Sequence, residues 1–237
     1  MRKAVFMKNM ADILYPRRCA LCDGILKKYE IYVCKNCSSD IGFIKGRTCA
    51  KCGAVLKSRF DMLCADCLNA RQLFDEAFAP FAYDGKIRKS IVRFKYYGRA
   101  EYAAFYAACI YRFGSERIKS WAAEAVIPVP VHRSRLAKRG YNQSYLIAKE
   151  LSVITGIPVR NDVVKRKKRT EAQKELTASA RRINLMSAFS IVKNRDIPES
   201  VIIADDIFTT GSTVNAMAYI LRSAGVKRIY VVCVSTS

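Results

Sequence analysis

Asp205 and Asp206 stand side by side after the apolar run Val201-Ile202-Ile203-Ala204, and Thr209, Thr210, Gly211, Ser212 and Thr213 follow at once. The order reads as a buried strand, two acids, a small hydroxyl-and-glycine turn, then a helix. Backbone N–H groups at such a turn and the positive end of the helix dipole attract phosphate. Gly211 lets the backbone approach closely, and the four hydroxyls can add short hydrogen bonds to phosphate oxygens. Asp205 and Asp206 fall at the strand's carboxyl end, where ligands of open α/β sheets bind. Their carboxylates suit two ribose hydroxyls or a share of a Mg²⁺ ion. The chemistry implied is that of a phosphorylated sugar. A plain strand–turn–helix corner asks for neither two adjacent acids nor four hydroxyls. The absence of Gly-Lys-Ser/Thr after the turn argues against a Walker-type loop.

A second constellation lies near the N-terminus. Eight of the ten cysteines form four CxxC pairs, Cys19/Cys22, Cys34/Cys37, Cys49/Cys52 and Cys64/Cys67, each beginning 15 residues after the last. A CxxC turn aims two thiolates at one ion, and two such turns complete a tetrahedral zinc site. We therefore read two structural zinc ribbons, about two Zn²⁺ in all, needed because so short a segment buries too little to fold alone. Tandem pairing is favoured: Cys19, Cys22, Cys34 and Cys37 for the first ion, Cys49, Cys52, Cys64 and Cys67 for the second. The spacing also permits crossed pairing. No thioredoxin-like βαβ pattern surrounds the pairs, which argues against redox work. Cys109 and Cys233 lie in apolar stretches and read as buried thiols. His132, the single histidine, is not needed as a ligand.

These two sites must be carried by elements. The 237 residues include 42 Lys and Arg against 20 Asp and Glu, a net charge of +22. Such an excess attracts polyanions such as nucleic acid, or acidic membrane surfaces; simple solubility charge is the plainer alternative. No apolar run is long enough for a membrane span, and Lys8 and Asp12 interrupt any secretory core, so a cytoplasmic protein is expected. Residues 1–17 read as a short helix or extended lead. From Phe74 the pattern becomes α/β: strands over 78–83, 125–131, 187–192, 201–205 and 229–234; helices over 87–97, 100–113 and 141–155; and a helix face of Val214, Met217, Leu221 and Ala224 ended by Gly225. The expected architecture is a parallel sheet flanked by helices in residues 73–237, with a zinc-ribbon module in residues 1–72.

Three basic stretches remain. Val129 to Ser144 follows a strand and carries Arg133, Arg135, Lys138 and Arg139, then Asn142 and Gln143 at a helix start; a solvated helix start is the bland alternative. Lys165-Arg166-Lys167-Lys168-Arg169 is a run of five cations that suits nucleic acid. Lys95-Tyr96-Tyr97-Gly98-Arg99 sets aromatics beside cations, which can stack bases or simply close a helix by packing its tyrosines.

The 201–214 run closely resembles the phosphoribosyl-pyrophosphate loop of type I phosphoribosyltransferases. The wider combination resembles the ComF family of competence proteins. The matching pieces are the CxxC array after Tyr15-Pro16, the Phe81-Ala82-Tyr83 strand with Lys95-Tyr96 after it, Arg139-Gly140-Tyr141-Asn142-Gln143, the run Arg169-Thr170…Gln173…Leu176…Arg182…Asn184, and the Asp205–Thr213 loop. Nearly the whole chain is covered. The resemblance implies a type I phosphoribosyltransferase-like fold that binds phosphoribosyl pyrophosphate with Mg²⁺. Thr209 to Thr213 would hold the 5′-phosphate, and Asp205 and Asp206 would serve as the catalytic acids on the ribose. Arg133, Lys138 and Arg139 would meet pyrophosphate. Residues 165–184 would form a loop that closes over the site. It also implies handling of imported single-stranded DNA in natural transformation, with Lys95 and Lys165 to Arg169 as candidate DNA contacts and proteins of the DNA-uptake machinery as partners. Two other functions fit the same residues: a non-catalytic nucleic-acid-binding protein that uses the loop as a regulatory ligand site, and a phosphoribosyltransferase of nucleotide metabolism or salvage.

Overall fold

The computed structural model describes residues 15–56, 58, 60–69, 72–167 and 188–237. Every strand of the main sheet is parallel, because each pair of hydrogen-bonded neighbours is separated in sequence by at least one helix that crosses before the chain pairs again. The sheet contains β1 (Glu76–Phe78), β2 (Phe81–Ala82), β3 (Ala125–Pro128), β6 (Ser200–Phe208) and β7 (Arg228–Thr236). Its order is β1-β7-β6-β3, with β2 also paired to β7. β6 sits between β7 and β3, and Val201 to Ala204 are buried, as the continuous apolar run requires of a central parallel strand.

One strand was expected over 78–83. The structure instead shows β1 and β2, one after the other along β7, with the chain leaving the sheet at Ala79-Pro80. Proline has no N–H to donate to a ladder, and the Pro80 carbonyl accepts from Ile44 N of the N-terminal module at 2.9 Å.

Helices α3 (Gly85–Tyr96), α4 (Tyr102–Trp121) and α6 (Gln143–Thr155) pack on one side, and α7 (Ser212–Ser223) serves the other. The short α5 (Arg133–Arg139) precedes α6. α4 runs past the expected stop at Phe113: Gly114 breaks the helical geometry locally (φ −128°, ψ 21°), and the helix then continues to Trp121. The reason is tertiary. Phe78 presses on Gly114 so closely that a Cβ there would lie 2.1 Å from its ring. Trp121 stacks on Tyr230 at 4.6 Å and donates to Glu76 Oε2 at 2.8 Å. A hairpin of β4 (Val164–Arg166) and β5 (Phe189–Ile191) stands apart from the sheet. The expected Thr170 to Asn184 run and the lead up to residue 14 lie outside the described residues. No helix among the described residues is long and apolar enough to cross a membrane.

Candidate functional site

The cysteines assemble as two tandem tetrads, Cys19/Cys22/Cys34/Cys37 and Cys49/Cys52/Cys64/Cys67, with each set of Sγ atoms within 4.8 Å of one another. Crossed pairing is thereby excluded. Both tetrads repeat one backbone design. Cys19 N donates to Gly24 O at 2.8 Å and Cys49 N to Ala54 O at 2.7 Å; Cys34 N reaches Cys19 Sγ, and Cys64 N reaches Cys49 Sγ, each at 3.3 Å. Burial pushes the Cys19 thiol up, but backbone N–H groups of Cys22, Cys34 and Leu21 outweigh it and bring it down to about 7. Cys49 is likewise brought down to about 7 by N–H groups of Cys52, Cys64 and Lys51. Both favour the thiolate, the form that binds zinc. Short α1 (Lys35–Ser38) and α2 (Ala65–Asn69) carry the second CxxC pair's last cysteine in each ribbon.

The two ribbons dock differently on the sheet domain. In the first, the knuckle carbonyls of Ala20 and Leu21 accept from Ser90 Oγ and from Arg93 Nη1 (3.2 Å) of α3. Asp23, held at φ 66°, takes Arg99 Nε at 2.8 Å and the Tyr102 hydroxyl at 2.5 Å. Burial alone would raise the Asp23 carboxyl, but these two partners hold it below its ordinary range. In the second, Gly53 stands where Asp23 stands in the first. It has φ +75°, and its α-carbon faces the β1 backbone so closely that a Cβ would lie 2.9 Å from Phe78 Cα.

At the carboxyl end of β6 the strand continues through both acids to Phe208, three residues further than expected, because Ile207 and Phe208 still pair with Ser235 and Thr236. Asp205 Oδ1 accepts from Ser144 Oγ and from Asp206 N, each at 2.9 Å. Burial, with the neighbouring Asp206 charge second, pushes its carboxyl up to about 7 against those two donors. Asp206 pairs with Lys95 Nζ of α3 at 2.9 Å, both side chains mostly enclosed (13% and 17% exposed). The turn follows. Thr209, Thr210 and Ser212 are exposed, Thr213 is half-buried, and Gly211 adopts φ 70° with Phe208 beneath it; a Cβ there would lie 2.7 Å from that ring. Thr210 and Ser212 share a hydroxyl hydrogen bond at 2.7 Å. Asn215 of α7 anchors the helix by accepting from Leu73 N at 2.9 Å.

α6 supplies the partner of Asp205. Asn142 caps it, accepting from Ser144 N at 3.1 Å while its amide donates to Val129 O at 3.0 Å. The cap ties the start of α6 to the segment just after β3, and so places Ser144 against β6. Arg139 lies 5.0 Å over the Tyr96 ring, donates to the Tyr96 hydroxyl at 3.2 Å, and donates to Gln143 Oε1 at 3.0 Å. Arg133 and Lys138 are exposed on α5. His132 caps α5, accepting from Ser134 N. Lys165 and Lys167 are exposed on and just after β4. Arg166 is half-buried over Phe189 at 5.1 Å; burial and the nearby Arg135 charge lower its pKa, with Asp205 opposing. Lys168 and Arg169 lie outside the described residues.

The structure thus brings Asp205, Asp206, Lys95, Arg139 and the Thr209–Thr213 turn to one end of the sheet. Ser144 is the participant that sequence reading missed, since nothing local marks a serine in the first turn of a helix as the partner of an acid on a distant strand. Cys109 and Cys233 are buried as expected, and burial pushes Cys109 up to about 12.

Comparison with known proteins matches residues 10–68 to a double zinc ribbon domain and residues 136–236 to a phosphoribosyl transferase domain. Competence protein F of Haemophilus influenzae is 34% identical over 219 residues, 90% of this chain and 94% of that protein. Competence protein ComFC of Streptococcus pneumoniae is 27% identical over 64% of each chain. DNA utilization protein YhgH of Escherichia coli K12 is 33% identical over 113 residues, 46% of this chain and 48% of that protein. Among solved structures, a purine phosphoribosyltransferase from Pyrococcus horikoshii is similar over 56% of this chain and 74% of that one, at 20% identity and a TM-score of 0.35.

Proposed function

This chain belongs to the competence protein F family, and from that premise we propose that it binds phosphoribosyl pyrophosphate with Mg²⁺ at the β6–α7 turn and works in the handling of imported single-stranded DNA. The observation that carries the sugar-phosphate half is the pair of acids, each held by a partner from another helix, beside an open turn of four hydroxyls at the carboxyl end of a parallel sheet. In this reading N–H groups at the start of α7 and the hydroxyls of Thr209, Thr210, Ser212 and Thr213 bind the 5′-phosphate. Asp205 and Asp206 accept from the ribose hydroxyls and favour positive charge developing on the sugar. Arg139, with Arg133 and Lys138 of α5, faces the pyrophosphate, and Mg²⁺ would supply further charge neutralisation there. The DNA half is supported by the names of the relatives and by the charge of +22.

Calorimetric titration of phosphoribosyl pyrophosphate, with and without Mg²⁺, tests the first half. Binding by the zinc-loaded chain, lost in Asp205→Asn/Asp206→Asn, is the expected result; no heat from the wild type overturns it. A non-catalytic protein that uses the site as a ligand switch remains the second reading, favoured by the Lys95 ion pair already seated on Asp206. It predicts single-strand binding that responds to phosphoribosyl pyrophosphate without any turnover of it.

A further inference from the structure

The run Lys95-Tyr96-Tyr97-Gly98-Arg99 is divided by the end of α3. Lys95 turns to Asp206 and Tyr96 lies under Arg139, so both belong to the sugar-phosphate end. Tyr97 and Arg99 turn the other way, into a groove of about 750 Å³ between α3 and the first zinc ribbon, lined also by Asp23, Arg88, Lys89 and Arg93. Four of these six residues are cations. Asp23 is their one acid, and Arg99 and Tyr102 already hold it. Arg93 keeps one nitrogen on Leu21 O. Arg88 and Lys89 are exposed on successive positions of α3 and carry no side-chain partner among the described residues. Tyr97 is 68% exposed, and no cation or aromatic ring among the described residues covers its face. Tyr96, by contrast, already has its face occupied by Arg139.

Unpaired cations along a helix, beside an uncovered aromatic face, make up the chemistry of single-strand recognition: phosphates track the charges and an unstacked base lies on the ring. A duplex keeps its base faces hidden and offers nothing to Tyr97. The geometry points to this groove as a binding surface for single-stranded nucleic acid, with Arg88 and Lys89 on the phosphates and Tyr97 stacked on a base. This rests on the nucleic-acid half of the proposed function, and it places the strand on the ribbon side of α3 rather than on the β4–β5 hairpin that carries Lys165 and Lys167.

The test is fluorescence anisotropy of the full, zinc-loaded chain with a labelled oligothymidylate of about 20 nucleotides, repeated over a salt series. Arg88→Gln/Lys89→Gln is expected to weaken binding at least tenfold at low salt and to lower the slope of log affinity against log salt by about 1.4, two phosphate contacts of a single strand. Tyr97→Ala is expected to weaken it roughly five- to hundredfold, while Tyr97→Phe stays near wild type. Lys165→Gln/Lys167→Gln is expected to change little, and all variants should keep their zinc. If the wild type binds the oligonucleotide but the groove variants bind equally well, the groove assignment is wrong and the DNA reading stands. No binding by the wild type overturns both. Equal affinity for a duplex of the same length, indifferent to Tyr97→Ala, also overturns the assignment.

Discussion

Asp205 is the most constrained titratable group at the proposed sugar-phosphate site. A carboxyl whose folded pKa lies near 7, well above the ordinary 3.8, binds a proton more readily folded than unfolded. The sign follows: ionising Asp205 costs the fold stability as pH rises from about 4 to about 7, and that cost persists above it. In the proposed site ligand binding runs the opposite way, since ribose hydroxyls would donate to the ionised form. Affinity for phosphoribosyl pyrophosphate should therefore rise between pH 6 and 8. Asp205→Asn should remove the part of this slope that the ligand's own phosphates do not explain, and should raise the melting temperature of the free protein. Ser144→Ala, which deletes one of the two donors to Oδ1, should move the midpoint upward. Titrations at several pH values, run on all three proteins, decide the matter: a slope that survives Asp205→Asn unchanged would assign the titration elsewhere.

Among the elements, α3 carries the most obligations. Its middle holds the first zinc knuckle through Ser90 and Arg93, its last turn delivers Lys95 to Asp206, and its end presents Tyr97. The second ribbon has no such helix; it docks on β1, where Ala77 N donates to Lys51 O at 2.8 Å and Gly53 meets the strand backbone, and Lys51 lies over the Phe74 ring. Gly53→Ala should therefore be costly: the added Cβ meets the backbone of Phe78, which cannot swing aside, and φ +75° is unfavourable for alanine. A loss of about 2 kcal/mol in denaturant unfolding is expected, of the size that overpacking and left-handed strain produce. A change under about 0.5 kcal/mol would mean that the second ribbon docks loosely.

The same elements show what sequence could and could not disclose. The tandem zinc sites and the acid–turn–helix order were legible because each is written in contiguous spacing. The continuation of α4 through Gly114 was not, because Phe78 and Trp121 decide it from across the fold. Nor was the reach of β6 to Phe208, which depends on the matching length of β7. Lys95 read as a candidate DNA contact beside tyrosines; only the position of α3 against β6 reveals its acid.

For the whole molecule, zinc and fold are one question. Each ribbon is a loop-rich segment with four thiol ligands and few buried side chains of its own, so metal must supply much of its folding free energy. Elemental analysis of reduced, purified protein should give about two zinc ions per chain, and a well-folded chain with metal content near zero would sink the ribbon reading. Stripping zinc with a strong chelator should also weaken the proposed sugar-phosphate site, since α3 leans on the first knuckle. Melting temperature and ligand affinity should fall together in that experiment.

The two ribbons make the chain its own calibration. Both sites offer the same four sulfurs and the same backbone donors to the leading thiol of each. They differ in what stands behind them: a carboxylate clasped by Arg99 and Tyr102 in one, a bare glycine against a strand in the other. Release of the two ions to a chelator, followed in time, compares two moorings with the ligand chemistry cancelled. Whichever ion departs first marks the weaker mooring, and Asp23→Ala should hasten the departure of the first ribbon's ion and leave that of the second unchanged.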